Sequence, residues 1–580
     1  MLLSRRRFAA GLLCATALSA CSTTQLSSNR KQRPNIITIV LDDVGFSDIG
    51  CYGGEIRTPN IDRLAARGLR FNRFDTKAVC SATRAALLTG RNGHTVNFPD
   101  VPDTAWGDNA KFFRPDAYHL PGNIRTSAQV LQDQGYATWL VGKWHLIPLN
   151  ELAPGTSRNN WPLQRGFDYF YGFARGWTDQ YKPDLVENDD YLKRAFPGDY
   201  HLTADLVDKA SSLVEQHAKS KGHDTPFFLQ LALGVAHSPI QVPKEWADKY
   251  TGVYDVGWDV IRKTRFERMK SLGLIPKNSQ LPPRDADDRA WESLSAEERA
   301  VFARYMEVYA GFIEHADTQI GKLLDTIDRI GMADDTMVVF LSDNGAASEA
   351  GQAGFFAELY RPNTIPVAEQ HRRLAELGTP ATQAEYPRPW AIASSAPFRR
   401  YKLWPFLGGV RTPLIVSWPR QIPDPGSIRE QYVDVIDIGP TLLAAAGTAF
   451  PPVHAGTTQI PIAGLSILSM FNAPDRTVRT RQYFELRGHR ALTDGRWRAV
   501  AIHNCTNPFT GDQWQLFDTV NDFTESHDLA AKYPEIVARM RSLWNEEWRK
   551  HVAYALAQPA PNICRLNDEY DRPTMKIPDR

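Results

Sequence analysis

The chain has 580 residues, a formal net charge of +1 at pH 7 and apolar, charged and aromatic fractions typical of an ordinary globular protein. This length accommodates one large α/β domain with a smaller unit beside it, because large open sheets often continue as single domains. The near-neutral charge gives no support for nucleic-acid or polyanion binding and we expect none, although a local basic pocket is compatible with it.

Residues 1–21 have the pattern of an export signal. Three arginines at positions 5–7 precede an apolar stretch, Phe8 to Ala20, that is too short for an ordinary membrane span. The double arginine followed by phenylalanine resembles a twin-arginine signal, and residues 18–21 resemble a bacterial lipobox in which Cys21 is lipidated. A plain signal peptide cut near Ala20 is the alternative. Either interpretation predicts use of an export machinery and a periplasmic or outer-membrane-anchored bacterial protein, with membrane contact only through the lipid.

The segment after the signal, residues 22–33, is polar and rich in Ser, Thr and Gln, which predicts a flexible tether. We expect a main domain over 34–470 and a C-terminal α+β subdomain over 471–580. Of the six cysteines in the chain, Cys505 and Cys564 are the plausible disulfide pair in an oxidising compartment, and sequence alone does not establish it.

Four short apolar runs are each followed at once by polar, chemically capable residues. Continuous apolar runs of this length are typical of strands buried on both faces of a mainly parallel sheet, with helices such as 126–134 and 304–329 between them. Polar groups at the carboxyl ends of such strands meet at one edge of the sheet, so we expect one composite site there. The four runs and their polar followers are 36–41 with Asp42 and Asp43, 137–141 with Lys143 and His145, 227–233 with His237, and 337–341 with Asp343 and Asn344.

Two long insertions and a change of pattern complete the predicted architecture. Residues 244–300 predict helices and loops over the sheet, and residues 346–400 show little periodicity, as functional lid loops do. Short alternating segments at 490–500 and 513–517, then a helix over 534–551, predict a small antiparallel sheet with a helix packed on it. The fold class is therefore α/β, a large mainly parallel mixed sheet between helices, with a small C-terminal antiparallel sheet plus helix.

Residues 80–84 read Cys-Ser-Ala-Thr-Arg and continue into a Leu-Thr-Gly stretch at 88–90. This pattern resembles the signature of the type I, formylglycine-dependent sulfatases, with Ala82 in place of the commoner proline. The resemblance implies an alkaline-phosphatase-like fold and a maturase that oxidises Cys80 to formylglycine (3-oxoalanine). For the pentapeptide alone, a buried cysteine that opens a helix is the alternative.

The chemistry of sulfate esters agrees with such a nucleophile. A sulfate ester is a stable monoanion, so attack on sulfur needs a strong nucleophile and neutralisation of the oxygens. An aldehyde hydrate has two hydroxyls on one carbon, so that one can attack sulfur and the other can drive the release of sulfate. A residue 80 at a helix N-terminus would also lie where the helix dipole favours an anion.

The two acidic pairs suggest a divalent cation beside residue 80. Asp42 and Asp43, with Asp343 and Asn344, offer hard oxygen ligands of the kind that Ca²⁺ prefers, on two strand ends that a shared metal would join. Both pairs match sulfatase motifs, Asp-Asp-X-Gly and Asp-Asn-Gly. The resemblance implies one Ca²⁺ that also contacts residue 80, and Mg²⁺ stays an alternative on ligand type.

The remaining site residues follow from the same resemblance. Lys143 would bind sulfate oxygen as a point charge, and Arg84 would hold the formylglycine oxygen and line the anion pocket. His145 would take the proton from the second hydroxyl of the hydrate. His237 and Lys402 would stabilise or protonate the leaving alkoxide. One residue departs from the family: Leu407 stands where many sulfatases have an acidic residue before a Gly-Gly pair, which questions local packing rather than activity.

The resemblance extends from about residue 33 to the C-terminal sheet and points to the bacterial arylsulfatase branch. It implies hydrolysis of a small-molecule or saccharide sulfate ester to an alcohol or phenol and inorganic sulfate. One alternative is a phosphonate or phosphate ester hydrolase of the alkaline phosphatase superfamily, some of which also use formylglycine. The other is a non-catalytic, lipid-anchored binding protein, which would require the loss of key residues.

Overall fold

The computed structural model describes residues 33–105, 116–153, 155–222, 224–358, 365–504 and 508–551. These described residues belong to one compact unit. The predicted export signal (1–21), nearly all of the tether (22–33) and both Cys505 and Cys564 lie outside the described residues, so these assignments stay predictions. Among the described residues, no helix combines the length and the apolar character needed to cross a bilayer.

The strands come in two stretches of the chain. The first stretch contains β1 (Asn35–Leu41), β2 (Leu69–Phe71), β3 (Phe74–Asp75), β4 (Ala137–Lys143), β5 (Tyr169–Phe173), β6 (Val186–Glu187), β7 (Asp190–Tyr191), β8 (Phe227–Ala232), β9 (Thr336–Ser342) and β10 (Phe355–Glu358). The second contains β11 (Thr382–Glu385), β12 (Leu414–Ser417), β13 (Ile428–Arg429), β14 (Val433–Asp434), β15 (Val453–His454), β16 (Thr457–Thr458), β17 (Arg481–Leu486), β18 (His489–Asp494), β19 (Trp497–Ala501) and β20 (Trp514–Asp518).

The α-helices of the described residues lie between these strands, except for the last one, which follows β20. They are α1 (Pro59–Ala66), α2 (Cys80–Thr89), α3 (Ser127–Asp133), α4 (Leu202–Lys221), α5 (Lys244–Asp248), α6 (Gly257–Ser271), α7 (Ala296–Arg329), α8 (Val367–Arg372), α9 (Arg388–Ser394), α10 (Leu407–Val410), α11 (Ile438–Ala445) and α12 (Pro534–His551).

One ten-stranded mixed sheet organises the molecule, in the order β13-β2-β12-β9-β1-β8-β4-β5-β6-β7. Its central strands β9, β1, β8, β4 and β5 are parallel, whereas β12 runs antiparallel to both β9 and β2. All seven residues of β1 are buried, as the continuous apolar run predicts for a central strand. The predicted large, mainly parallel mixed sheet is confirmed.

Helices cover both faces of this sheet, as predicted. Alternate residues of a strand point to opposite faces, so β1 contributes to two separate apolar clusters. Ile37 and Ile39 pack in a cluster with residues of α4, α6 and α7. Ile36 and Val40 pack in another, with residues of α2, α3 and α11.

The C-terminal part is a four-stranded antiparallel sheet, β17-β18-β19-β20, with α12 packed on it. Met540 and Trp544 of α12 are buried against Leu492 and Leu516 of the sheet. This element matches the prediction, including both ends of the helix over 534–551.

Residues 346–400 contain more regular structure than their weak periodicity predicts. The antiparallel pair β10 and β11 and the helices α8 and α9 lie within this span. Strands of four residues and helices of two turns are too short for a period to be visible in the sequence. The long helix α7 also begins at Ala296 rather than at 304, because Ser295 and Glu298 form a reciprocal capping box there.

Candidate active site

The predicted site residues meet at the carboxyl edge of the parallel strands. Asp42 and Asp43 follow β1, Asp343 follows the neighbouring β9, and Lys143 is the last residue of β4. Every predicted site residue is linked to another one by a contact of 4.0 Å or less. Asp42 lies within 4.8 Å both of Cys80 and Asp343 and of Asp43 and His237, so the structure brings the whole set together.

Cys80 is the first residue of α2 and is only 2% exposed. Its Sγ lies 3.2 Å from Nδ1 of His145. Burial raises the pKa of the Cys80 thiol to about 12, against the opposing charges of Lys143 and Lys402. The unmodified thiol is therefore protonated at neutral pH and is a weak nucleophile.

A cluster of oxygen atoms lies beside Cys80. Oxygens of Asp42 and Asp343 and the Sγ of Cys80 lie within 4.8 Å of one another. Oδ1 of Asp42 and Oδ1 of Asn344 are buried and accept no hydrogen bond from the protein. Such unsatisfied buried oxygens are costly unless a cation or water binds to them, so this donor set fits a hard divalent cation.

Two buried cations balance the carboxylates of this cluster. Nζ of Lys143 donates to Oδ2 of Asp42 at 2.6 Å, and Nε and Nη2 of Arg84 donate to Oδ2 of Asp343 at 2.9 and 2.7 Å. Burial disfavours the charged form of Asp42, but the charges of Lys143 and His237 outweigh it and lower the pKa of Asp42. The site thus has positive groups next to residue 80, where the oxygens of a sulfate would need neutralisation.

His145 lies between Cys80 and a carboxylate that the motifs do not include. Its Nε2 is 2.9 Å from Oδ2 of Asp103, on the opposite side of the ring from Cys80. Burial lowers the pKa of His145 to about 4, although the hydrogen bond to Asp103 acts in the other direction. The backbone of His145 has a φ of 55°. A Cβ at Gly176 would lie 2.6 Å from the imidazole ring, so only glycine at position 176 allows this close approach.

His237 and Lys402 approach the cluster from the side of Asp43. Nε2 of His237 is 3.7 Å from Oδ2 of Asp43, and Nζ of Lys402 is 2.9 Å from the same oxygen. Nζ of Lys402 also lies 2.6 Å from Oε1 of Glu349. Asn344 Nδ2 donates to the other oxygen of Asp43 at 2.6 Å.

Sequence reasoning missed Asp103 and Glu349. Asp103 lies in a single 3-10 turn, Pro102–Ala105, and Glu349 lies in the span of weak periodicity before β10. Neither belongs to a motif, and both become site residues only through contacts made across long stretches of chain. We generally expect a carboxylate close to each buried lysine, arginine or histidine of a site. The sequence alone does not identify which aspartate or glutamate provides it.

The comparisons with known proteins agree with this geometry. The family model described as Sulfatase matches residues 34–448. The chain belongs to the sulfatase family. A second model, described as the C-terminal part of N-sulphoglucosamine sulphohydrolase, matches residues 402–550. The predicted class, a hydrolase of sulfuric esters, is thereby confirmed, and phosphonate or phosphate esters are not favoured.

Individual relatives cover most of this sulfatase. An uncharacterized sulfatase of Schizosaccharomyces pombe is 32% identical over 88% of this chain and 93% of its own. An arylsulfatase of Klebsiella aerogenes is 30% identical over 82% of this chain and 99% of its own. The solved structure of Ps i-CgsB in complex with k-i-k-neocarrahexaose has a TM-score of 0.62 at 22% identity, covering 93% of this chain and 98% of that one. The structural likeness shows a shared fold.

Proposed function

We propose that this sulfatase hydrolyses aryl or saccharide sulfate esters with a formylglycine made from Cys80 and one bound Ca²⁺. The observation that carries the proposal is the position of Cys80. It opens α2, is buried, and is surrounded by Arg84, Lys143, His145 and an oxygen cluster in which two buried oxygens have no protein partner. A thiol of raised pKa is a poor nucleophile in such a place, whereas a residue 80 converted by a maturase would be a strong one.

The cofactors supply chemistry that the unmodified side chains lack. Formylglycine supplies a hydrated aldehyde with two hydroxyls on one carbon, and Ca²⁺ supplies positive charge that orients the nucleophile and neutralises sulfate oxygens. Asp42, Asp43, Asp343 and Asn344 would hold the cation. Oxygens of Asp42 and Asp343 lie within 4.8 Å of Sγ of Cys80, an oxygen of Asp43 lies within the same distance of one of Asp42, and the amide of Asn344 contacts Asp43.

Side chains of the protein bind the sulfate group and transfer the protons. Lys143 and Arg84 bind sulfate oxygens as fixed charges, because both are fully buried and held by carboxylates of the cluster. His145 accepts a proton at Nδ1, the ring nitrogen that faces residue 80. Lys402 and His237 stabilise or protonate the leaving oxygen from the side of Asp43.

The relatives support the substrate class of the proposal. One is named an arylsulfatase, and another is named an N-acetylglucosamine-6-O-sulfatase of Bacteroides thetaiotaomicron. An aryl sulfate is therefore a suitable assay substrate, and a sulfated saccharide is a natural-substrate class that fits the family.

The proposal is tested by mass and turnover together. Protein made with a formylglycine-generating enzyme should yield a peptide of residue 80 with the mass loss of thiol-to-aldehyde conversion, and should hydrolyse 4-nitrophenyl sulfate. Cys80→Ala should abolish turnover, whereas Cys51→Ala, a matched change at the other described cysteine, should keep it. Addition of Ca²⁺ after chelation should restore activity. A modified peptide without sulfate turnover would move the proposal to phosphate or phosphonate esters.

We also propose that the protein is exported and lipid-anchored, on the strength of residues 1–21. A twin-arginine route would let oxidation of Cys80 and folding finish before translocation. Replacement of Arg5 and Arg6 by lysine should then block delivery of active enzyme across the membrane, measured by fractionation. Unimpaired export of that variant would rule out the twin-arginine route.

A further inference from the structure

Asp103 completes a line of three groups that ends at residue 80. Oδ2 of Asp103 is 2.9 Å from Nε2 of His145, and Nδ1 of the same ring is 3.2 Å from Sγ of Cys80. The side chain of Asp103 is 45% exposed, whereas that of His145 is 6% exposed. The carboxylate thus approaches a buried histidine from the solvent side, with the position of the nucleophile on the other side.

The hydrogen bond from His145 to Asp103 selects the tautomer of the ring. A carboxylate only accepts hydrogen bonds, so Nε2 must be the nitrogen that donates a proton. In the neutral ring, Nδ1 then has a lone pair directed at residue 80. Close packing on Gly176 fixes where the ring lies, but packing does not distinguish one tautomer from the other.

The polar neighbours Ser81, Lys143 and Arg84 of His145 do not select the tautomer of its ring. Its backbone carbonyl accepts from Ser81 Oγ at 2.8 Å, which fixes the main chain rather than the ring. The neighbouring side chains of Lys143 and Arg84 are cations and have no lone pair for Nε2–H.

Resting on the proposed function, we propose that Asp103 is a positioning residue, which holds His145 with Nε2 protonated and with Nδ1 free to accept a proton from residue 80. In the release step His145 Nδ1 takes the proton of the hydroxyl that remains on the carbon of residue 80. The O–H electron pair becomes the second bond of C=O. The bond from that carbon to the sulfate oxygen breaks, and sulfate leaves with its electron pair. No oxidant or further reactant is required.

Asp103→Asn tests the assignment without a change of size. The amide can donate to Nε2, which places the proton on Nδ1 and removes the acceptor that faces residue 80. With 4-nitrophenyl sulfate, we expect kcat to fall about 10²-fold, the scale of a misplaced general base, while KM changes less than about threefold. A burst of 4-nitrophenol equal to the enzyme concentration should appear, because the step after its release becomes slow. Asp103→Glu should recover part of kcat.

A second readout needs neither formylglycine nor turnover. In unmodified protein with ¹⁵N-labelled histidine, ring nitrogen shifts should show His145 as the Nε2–H tautomer in the wild type and as Nδ1–H in Asp103→Asn, with His145→Gln used to assign the signals. The matched control is Glu547→Gln, which alters a histidine–carboxylate pair with His551 at 3.2 Å outside the site. We expect that variant to keep the wild-type kcat and the wild-type His145 signals.

The outcomes separate this inference from the function on which it rests. An unchanged kcat in Asp103→Asn, or an Nδ1–H tautomer in the wild type, would overturn the role of Asp103. A fall in kcat without a burst and without a change of tautomer would also overturn it, since that pattern indicates general structural damage. If the modified wild type does not hydrolyse sulfate esters, the proposed function fails, while the tautomer measurement still decides whether Asp103 orients the ring.

Discussion

Lys402 has two carboxylate partners, and only one of them belongs to the oxygen cluster beside Cys80. Its Nζ is 2.9 Å from Oδ2 of Asp43 and 2.6 Å from Oε1 of Glu349. Burial opposes the charge of Lys402, but these two carboxylates outweigh it and raise its pKa well above the ordinary value. An ammonium group of high pKa gives up its proton readily only to a strongly basic oxygen, so Lys402 should matter most for substrates with poor leaving groups.

Glu349→Gln should therefore affect substrates unequally. The variant removes one of the two carboxylates that hold Nζ of Lys402, so the ammonium group is fixed less well in the position from which it acts on the leaving oxygen. We expect kcat/KM to fall about tenfold for an alkyl sulfate and much less for 4-nitrophenyl sulfate, whose phenolate leaves without a proton. The control is Glu376→Gln, a change in the surface pair with Arg373. Equal losses for the two substrates would contradict this role.

The packing of helix α4 against helix α7 buries two histidines in contact. The rings of His201, which precedes α4, and His315 of α7 have centroids 4.5 Å apart. Burial lowers the pKa of His201 to about 4, and burial together with the neighbouring His201 lowers the pKa of His315 to about 2. Both side chains are therefore neutral in the folded protein at neutral pH.

This pair should make the protein sensitive to acid. The folded pKa values lie below the unfolded value of about 6.5, so the unfolded chain binds protons first as the pH falls. The stabilisation is complete above about pH 6.5 and is lost below it, by up to about 1.4 kcal/mol per pH unit for each histidine. His315→Gln should reduce the slope of the free energy of unfolding between pH 6.5 and 5 by about that amount, measured by urea denaturation. An unchanged slope in His315→Gln would contradict this role.

Strands and helices with a strong hydrophobic pattern could be predicted from the sequence. Short strands, and contacts between residues far apart in the chain, could not. The runs at β1 and β9 are continuous and apolar because both faces of these strands are buried, and α12 has a face that packs on its sheet. By contrast, β10 and β11 have four residues each and are defined by pairing with each other. The same holds in the site, where contiguous motifs identified Asp42 and Asp343, but Asp103 is defined only by its contact with His145.

At the scale of the whole molecule, the C-terminal sheet supports the loop that bears Lys402. Glu525 is fully buried, and its two carboxylate oxygens accept from the backbone N–H of Leu407 and from Nε of Arg498, each at 2.9 Å. Arg498, on β19, also donates to the carbonyl of Pro405. Leu407 opens α10, so Glu525 satisfies an N–H at the start of that helix. A carboxylate thus reaches position 407 from the C-terminal part, although the residue at 407 is not acidic, and Leu407 itself is fully buried.

Loss of the hydrogen bonds of Glu525 to Leu407 and Arg498 should destabilise the fold and disturb the active site together. Glu525→Gln leaves the buried Arg498 with Asp75, at 3.9 Å, as its carboxylate partner, and the loss of the charged hydrogen bond should lower the free energy of unfolding by about 2 kcal/mol in urea denaturation. The matched change Arg496→Gln removes the pair between a half-exposed arginine and Asp518, which keeps the Asn521 amide as a donor, and should cost less than about 1 kcal/mol. Because the loop that starts at Lys402 loses its support, Glu525→Gln should also lower kcat measured per folded molecule, whereas the proposed binding of Ca²⁺ at Asp42 and Asp343 should be retained. If stability fell and kcat per folded molecule did not, the C-terminal sheet would stabilise the domain without positioning Lys402.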